Sequence, residues 1–258
     1  NTIADHPERQ LRQLQARLVS ALKPIFAEHA LLWEPEDTIP YECDGLAAYR
    51  QMPLAVALPE TEQQVVETIK VCHQLNIPIV PRGSGTGLSG GAMPIAQGLV
   101  LSLAKLKKII AIDPIARTAV VQPGVRNLAI SEAVSQHGLY YAPDPSSQIA
   151  CSIGGNVSEN SGGVHCLKYG LTLHNILKVR AVLMTGEVVE FGSLSPDAPG
   201  LDLLAILVGS EGMLAVVTEV TVKLVPKPKL AQVIMASFVD VEKGGNAVAA
   251  IIAAGIIP

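Results

Sequence analysis

The chain has 258 residues, of which 49 % are hydrophobic and 16 % are charged, and its net charge is −4. This length and composition predict one large or two modest domains with a substantial core. No cluster of lysines and arginines occurs, which argues against nucleic acid or anionic lipid as the main partner. No apolar run reaches the roughly 18 residues that span a bilayer, and no signal-peptide core is found, so we expect a cytoplasmic protein without a transmembrane span.

The first half of the chain predicts a helix followed by a β/α pattern. Leucines at spacings of three and four predict an amphipathic helix over residues 7–23. Residues 54–58 predict a strand, and Thr61 with Gln64 fits a capping box at the start of the next helix. Further strands are predicted at 77–80, 98–103, 109–112 and 118–122, and a helix at about 126–137.

The second half begins with a long segment, 141–170, whose composition predicts irregular structure, and long loops of this kind are usually functional. The elements predicted beyond it are a hairpin over 179–191, a short helix near 202–208, a strand over 216–224, a linker at 227–229, a strand over 231–238 and a helix over 241–254. The final strand and helix have an open edge and an unpaired apolar face. We therefore expect them to begin a second, truncated domain near residue 231.

The most informative motif is PRGSGTGLSGG at residues 81–91. Its glycines and hydroxyls favour a concave array of backbone N–H groups that holds a phosphate. A P-loop requires a lysine directly after the last glycine, and this loop has none. The glycines also spell the Rossmann fingerprint, but that motif needs a helix next, whereas the sequence predicts a strand. On the loop alone, a plain glycine-rich turn remains an alternative.

Two further glycine-rich segments, 152–163 and 209–212, flank predicted strands, and all three could converge on one long ligand. From about residue 38 to its C-terminus, the chain resembles the vanillyl-alcohol oxidase / p-cresol methylhydroxylase flavoprotein family, especially its glycolate-oxidising bacterial members. The motifs that carry the resemblance, in the family's order and spacing, are PYECDGLAAYR (40–50), PRGSGTGLSGG (81–91), VQPGVRNL (121–128), YYAPDPSSQIACSIGGNVSENSGG (140–163), KYG (168–170) and GSEGMLAVVTEVTVKL (209–224).

The resemblance implies an α+β fold, a two-subdomain FAD-binding domain of the p-cresol methylhydroxylase (PCMH) type. The implied divisions are an N-terminal helical segment (1–37), the FAD-binding domain (38–228, with subdomains of about 38–114 and 115–228) and the start of a truncated substrate or cap domain (231–258). FAD is expected to bind non-covalently, because Thr86 stands where some relatives carry a histidine bonded to the flavin. Cys151 is interpreted as a small packed thiol rather than a flavin link.

The resemblance also implies a set of cofactor-binding residues. Those expected around the pyrophosphate are Arg82, Gly83, Ser84, Gly85, Thr86, Gly87 and Leu88. Those expected on the isoalloxazine and ribityl side are Pro145, Ser146, Ser147, Ser152, Gly154, Gly155 and Asn156. The cofactor wall is expected to continue with Asn160, Gly162, Gly163 and Tyr169, and the adenine and ribose end to meet Glu211, Gly212 and Val217. At that end Ala215 replaces the family's usual glycine.

The implied reaction is oxidation of a small 2-hydroxy acid, glycolate or D-lactate, to the 2-oxo acid. The implied partners are a second flavin-domain subunit and an iron–sulfur subunit that pass electrons towards membrane quinone, which would place the protein in the cytoplasm or peripherally at the inner membrane. In the resembled enzymes the catalytic and any metal-binding residues lie in the C-terminal half, so we assign none here. The alternatives are a non-catalytic flavin carrier and an NAD-dependent Rossmann enzyme.

Overall fold

The computed structural model describes residues 5–195 and 200–257. Helix α1 (Asp5–Leu22) confirms the leucine periodicity, since Leu18 and Leu22 are fully buried. It packs with α3 (Glu62–Leu75) in a first core. Thr61 caps α3 by accepting a hydrogen bond from the N–H of Gln64, as predicted, but the Gln64 side chain accepts from the N–H of Glu60 rather than from the cap residue itself.

The first sheet has four strands in the order β1–β2–β4–β3. These strands are β1 (Leu31–Leu32), β2 (Ala55–Ala57), β3 (Ile79–Arg82) and β4 (Leu99–Ser102). Strands β2, β4 and β3 run parallel, and β1 is antiparallel to β2. No helix occurs within residues 83–98, all of which the structure describes, so the glycine loop joins two strands and lacks the Rossmann context.

The second sheet is antiparallel throughout, with the order β5–β6–β10–β8–β9. These strands are β5 (Ile109–Asp113), β6 (Thr118–Val121), β8 (Ile176–Val182), β9 (Val188–Gly192) and β10 (Val216–Lys223). In the sequence of the central strand β10, apolar residues alternate with more polar ones, a pattern that predicts one buried and one exposed face. The strand is buried on both faces, because Val217 and Thr221 are covered as completely as Val216 and Val220. A separate small pair joins β7 (Leu139–Tyr140) to β11 (Val225–Pro226).

Besides α1 and α3, the α-helices described before residue 230 are α2 (Pro35–Thr38), α4 (Asn127–Val134), α5 (Ile153–Glu159), α6 (Cys166–Tyr169) and α7 (Leu203–Leu207). Helices α5 and α6 lie within residues 141–170, so the prediction that this segment is irregular is wrong in part. The adjacent glycines of α5 lower its helix propensity and hide it in the sequence. It forms because Ile153 and Val157, four residues apart, are both fully buried in the second core.

The predicted strand over 231–238 does not form. These residues have no regular secondary structure and are exposed, with Ile234 at 92 % and Met235 at 93 %. An isolated strand has no ladder partner to stabilise it, and none of the described strands pairs with this segment. The helix predicted next is confirmed as α8 (Val241–Ala253), and none of its residues is buried.

An ion-pair cluster connects the first core to the second sheet. Glu62, in the first turn of α3, accepts hydrogen bonds from Arg180 Nε and Nη2 at 2.8 and 2.9 Å. The hydroxyl of Thr218 on β10 donates to the same carboxylate at 2.7 Å. A bidentate pair of this type fixes orientation as well as distance.

In the described part of the chain, no helix combines the length and apolar character required to cross a membrane.

Candidate functional site

A cleft of about 210 Å³ opens where the loop after β3 faces helix α5 and the turn before β10. The predicted site residues that line it are Arg82, Gly83, Ser84, Gly85, Thr86, Gly87, Ser147, Ser152, Gly154, Gly155, Asn156, Glu211, Gly212 and Val217. Residues from all three glycine-rich segments therefore meet at one place, although more than one hundred residues separate the first segment from the last.

The glycine loop presents backbone donors to this cleft. None of the N–H groups of residues 83–87 donates a hydrogen bond to another residue in the described parts of the chain. Gly85 has a φ of +69°, a conformation that side-chain-bearing residues adopt at a cost. Successive unpaired N–H groups in such a loop form a concavity that binds anions.

Close backbone approaches explain several of the glycines. A β-carbon on Gly83 would collide with Ser152 Oγ, and one on Gly154 would lie 2.6 Å from Pro123 Cβ. A β-carbon on Gly45 would lie 2.6 Å from the carbonyl oxygen of Gly87. The backbone around Gly45 therefore packs directly against the glycine loop.

Three buried polar atoms in the cleft lining have no hydrogen-bond partner among the described residues. They are Asp44 Oδ2, Ser152 Oγ and Asn156 Nδ2, in residues that are 6 %, 2 % and 3 % exposed. Buried polar atoms in folded proteins are almost always paired. The cleft is thus prepared for a ligand that carries both donors and acceptors.

The side chain of Arg82 donates hydrogen bonds to backbone carbonyls on either side of the glycine loop in sequence. Its Nη1 donates to the carbonyl oxygens of Cys43 at 2.7 Å and Ala92 at 3.3 Å, and its guanidinium lies 5.6 Å from the centre of the Tyr41 ring. Burial lowers the pKa of Arg82, and the negative charge of Asp44 opposes that shift. An arginine with carbonyl partners remains charged at neutral pH.

Two glutamates stand on the other side of the loop. Ser89 Oγ donates to Glu159 Oε2 at 3.3 Å, which connects the loop to the end of α5. Burial raises the pKa of Glu159, and the neighbouring charge of Glu211 raises it further. Glu211 has a φ of +53°, and its N–H donates to the carbonyl oxygen of Ser158 at 2.9 Å, which holds it beside Glu159.

The other predicted site residues lie outside the cleft lining: Leu88, Pro145, Ser146, Asn160, Gly162, Gly163 and Tyr169. Leu88 is 73 % exposed. Asn160 ends α5 with a φ of +50° and accepts a hydrogen bond from the N–H of Leu173. Tyr169 packs edge-on against Tyr140. The cleft contacts expected of these residues remain predictions.

A separate polar cluster includes the segment after β7. His165 Nδ1 lies 2.6 Å from Asp144 Oδ2, and Lys168 lies 5.7 Å from the centre of the Tyr169 ring. Burial raises the pKa of Tyr140, and its hydrogen bond with Tyr169 adds to the shift. Gly163 lies against Asp144, since a β-carbon there would collide with that residue. These contacts order the segment that leads from the cleft to α6.

The sequence interpretation assigned no site role to several residues that line the cleft, chiefly Asp44, Gly91 and Glu159. Asp44 lies inside the PYECDGLAAYR motif, which was a usable signal. Glu159 lies in the second glycine-rich segment, 152–163, but its residue type carried no signal of a cofactor contact. Ala215, where the family usually has glycine, also lines the cleft and is 2 % exposed.

Comparisons with known proteins show the family to which this chain belongs. A family model described as an FAD binding domain matches residues 53–192. The glycolate oxidase subunit GlcD of Escherichia coli strain K12 is 62 % identical over 228 residues, which cover 88 % of this chain and 46 % of that protein. The D-lactate dehydrogenase of Anaerostipes hadrus is 34 % identical over 224 residues, covering 86 % of this chain and 47 % of that protein. The chain spans about half the length of the curated relatives it matches.

Among solved structures, p-cresol methylhydroxylase with substrate bound superposes with a TM-score of 0.72 at 22 % identity, over 84 % of this chain and 44 % of that one. At this identity the likeness concerns the fold alone. The expected α+β fold of the PCMH type is thereby confirmed.

Proposed function

This chain belongs to the family of FAD binding domains, and we propose that it is the FAD-binding part of an enzyme that oxidises a small 2-hydroxy acid, glycolate or D-lactate, to the 2-oxo acid. FAD is the cofactor. Two relatives, a glycolate oxidase subunit and a D-lactate dehydrogenase, support this substrate class. The observation that carries the proposal is the loop of unpaired N–H groups that faces unpaired polar atoms across one cleft.

The residues of the cleft fit FAD. The N–H groups of 83–87 suit a pyrophosphate, and the glycines permit close approach of a flat, phosphate-bearing ligand. The unpaired acceptor Asp44 Oδ2 suits the hydroxyl and amino groups of FAD, the unpaired donor Asn156 Nδ2 suits its oxygen acceptors, and Ser152 Oγ can donate or accept. We propose that the predicted cofactor-binding residues contact FAD. We also propose that FAD is bound non-covalently, because Thr86 occupies the position of the family's covalent histidine. When bound, FAD supplies the hydride acceptor.

The chain's own contribution is to bind and orient. Arg82 is the one basic side chain among the described residues that line the cleft, and its hydrogen bonds go to Cys43 and Ala92 rather than towards open space. Oxidation of a hydroxy acid needs a base for the hydroxyl proton and a cation for the carboxylate. We propose that these groups lie outside residues 1–258 and that this chain alone does not turn over substrate.

We extend the proposal to organisation and partners. Residues 38–228 form the FAD-binding domain, and 231–258 begin a substrate or cap domain. The proposed partners are a second flavin-domain subunit and an iron–sulfur subunit, which would bring the protein to the inner membrane peripherally. The name of the Escherichia coli relative, a subunit, supports an enzyme of more than one chain.

The test is reconstitution with FAD followed by visible spectroscopy. Purified chain should bind FAD and turn yellow, and it should not bind NAD. In a longer chain that includes the region the relatives share beyond this one, glycolate or D-lactate should bleach the flavin under anaerobic conditions. Failure to bind FAD would overturn the cofactor assignment, whereas bound FAD that neither acid bleaches would favour a carrier role.

A further inference from the structure

One carboxylate lies across the far half of the glycine loop. A β-carbon built at Gly87 would lie 3.8 Å from Glu159 Oε1, and one built at Gly91 would lie 2.7 Å from the same atom. Between these glycines, Ser89 Oγ donates to the carboxylate and lies 3.4 and 3.3 Å from its two oxygens. Because Glu159 is the last residue of α5, its side chain connects the glycine loop directly to that helix.

The turn at 209–212 brings a second carboxylate to the same place. The N–H of Glu211 donates to the carbonyl oxygen of Ser158 at 2.9 Å, which fixes the turn to the end of α5. The β-carbon position at Gly91 lies 3.3 Å from Glu211 Oε2, on the side where it also meets Glu159. Parts of all three glycine-rich segments therefore meet at Glu159.

Glu159 stands beside the place where an anion is expected to bind. It lines the cleft together with residues 83–87, whose N–H groups have no partner in the described parts of the chain. The pyrophosphate of FAD carries two negative charges, and like charges disfavour the ionised form of a carboxyl group. Glu159 is accessible to solvent in the open cleft, so a ligand that fills the cleft also removes water from it. Both effects favour the neutral carboxyl.

The other charged groups of the lining do not offset this repulsion. Among the described residues there, the acidic and basic side chains besides Glu159 are Asp44, Glu211 and Arg82, and Cys151 adds a buried thiol. The two carboxylates repel a charge on Glu159, whereas Arg82 directs its Nη1 hydrogen bonds to backbone carbonyls. With its carboxyls ionised, the cleft carries more negative than positive side-chain charge before the ligand arrives.

We propose that Glu159 is a positioning residue that takes up a proton from solvent when FAD binds. In the neutral form its O–H is a donor for the Glu211 carboxylate, while its other oxygen accepts from Ser89. The glycine loop and the 209–212 turn are thereby connected around the cofactor. This role rests on the proposed FAD-binding function, and it makes FAD binding tighter as the pH falls.

The sign of the pH dependence follows from linkage between proton and ligand. In the free chain, desolvation and the charge of Glu211 raise the pKa of Glu159, and donation by Ser89 opposes that rise. Bound FAD raises the pKa further, because it adds negative charge and removes water. The gain in affinity is therefore fully present below the pKa of the free chain and is lost as the pH rises through the pKa of the complex.

The test titrates the apo chain with FAD by flavin fluorescence from about pH 8 to about pH 5. In the parent chain, FAD affinity should rise about 10-fold as the pH falls. Glu159→Gln keeps the shape of the side chain but is neutral throughout, so at about pH 8 it should bind FAD about 10-fold more tightly than the parent and change little below that pH. Glu132→Gln, at an exposed residue of α4, is the matched control and should follow the parent.

Isothermal titration calorimetry in two buffers of different ionisation enthalpy measures the linked proton directly. At about pH 6 the parent chain should take up a fraction of a proton for each FAD bound, and Glu159→Gln should take up less. Equal proton uptake by the two chains, or a pH dependence of affinity that persists in Glu159→Gln, would overturn the assignment to Glu159. A parent chain that binds FAD at no pH would instead overturn the proposed function.

Glu159→Ala distinguishes the position of the side chain from its charge. Alanine is also neutral, but it cannot connect the loop to the turn, so this variant should bind FAD more weakly than Glu159→Gln at every pH. Equal affinities of the two variants would overturn the positioning role. Circular dichroism of each variant identifies a folding defect.

Ser89→Ala keeps the inference testable if the variants of Glu159 do not fold. Loss of the Ser89 hydroxyl removes a donor to the ionised carboxylate, which raises the pKa of Glu159. The pH at which FAD affinity begins to rise should therefore be higher in Ser89→Ala than in the parent chain. A rise that begins at the same pH in both chains would contradict the role of Glu159.

Discussion

At the scale of single residues, Gly85 is the point at which the loop is least tolerant of a side chain. Its φ of +69° disfavours β-branched residues, and a β-carbon there would collide with Arg82 Nη2. Gly85→Val should therefore lower FAD affinity by at least about 10-fold, through strain and loss of the N–H array. Flavin content after gel filtration is the measurement. Gly245→Val, where nothing lies within 4 Å, is the control, and equal flavin content in both variants would refute the loop assignment.

A substitution at Arg82 can distinguish the role of its positive charge from the role of its hydrogen bonds. Arg82→Lys keeps the positive charge but loses the planar group that reaches both Cys43 and Ala92. We expect about 10-fold weaker FAD binding together with a lower melting temperature of the apo chain, because one brace supports both properties. If Arg82→Lys bound FAD like the parent chain, the role of this residue would be its charge alone.

At the scale of elements, the contact of α3 with the second sheet depends on Glu62. The hydrogen bond with Arg180 lowers the pKa of Glu62 from its ordinary value of 4.5. A carboxyl whose pKa is lower in the folded state stabilises the fold above its unfolded pKa, and this contribution is lost as pH falls through the folded pKa. Glu62→Gln should therefore cost about 1 kcal/mol at pH 7, a modest value because the group is partly solvated.

Urea denaturation across pH checks this prediction. The stability difference between Glu62→Gln and the parent chain should shrink as the pH is lowered below about 4.5, since the carboxyl becomes protonated in both states. Glu132→Gln, a change at an exposed residue of α4, is the control and should not change the stability at pH 7 or below about pH 4.5. A difference for Glu62→Gln that persists unchanged at low pH would mean that shape, rather than charge, holds α3 in place.

The elements also show how far the sequence predicts this fold. The sequence predicted α1 from its leucine periodicity, α3 from its threonine cap and β10 from its alternating residues. These three signals depend only on residues close together in the chain. Helix α5 escaped prediction because its glycines conceal a helix that forms through burial of Ile153 and Val157. That Asp44 and Glu159 line the same cleft escaped prediction because it depends on tertiary contacts between segments far apart in the chain.

At the scale of the whole molecule, the C-terminal segment stands apart from both cores. Apolar side chains from 230 to 257 are exposed, among them Val233 at 97 % and Val241 at 92 %. On α8, Val248, Ile251 and Ile252 share a face with no buried residue, and this segment contributes none of the residues of the described cores. Contiguous exposed apolar surface of this kind marks a contact site or promotes association.

We therefore expect the 258-residue chain to associate more strongly than a chain that ends at Lys229. Removing residues 230–258 should leave both sheets intact, because all of their strands lie before residue 227. Light scattering after gel filtration should show dimers or larger species for the longer chain at concentrations where the shorter one is monomeric. Ile251→Lys with Ile252→Lys should reduce this association in the full chain, since charge on that face opposes its burial. Monomers of both lengths at every concentration would show that α8 and its preceding segment are stable in solvent, which would remove the support for a second domain that begins near residue 231.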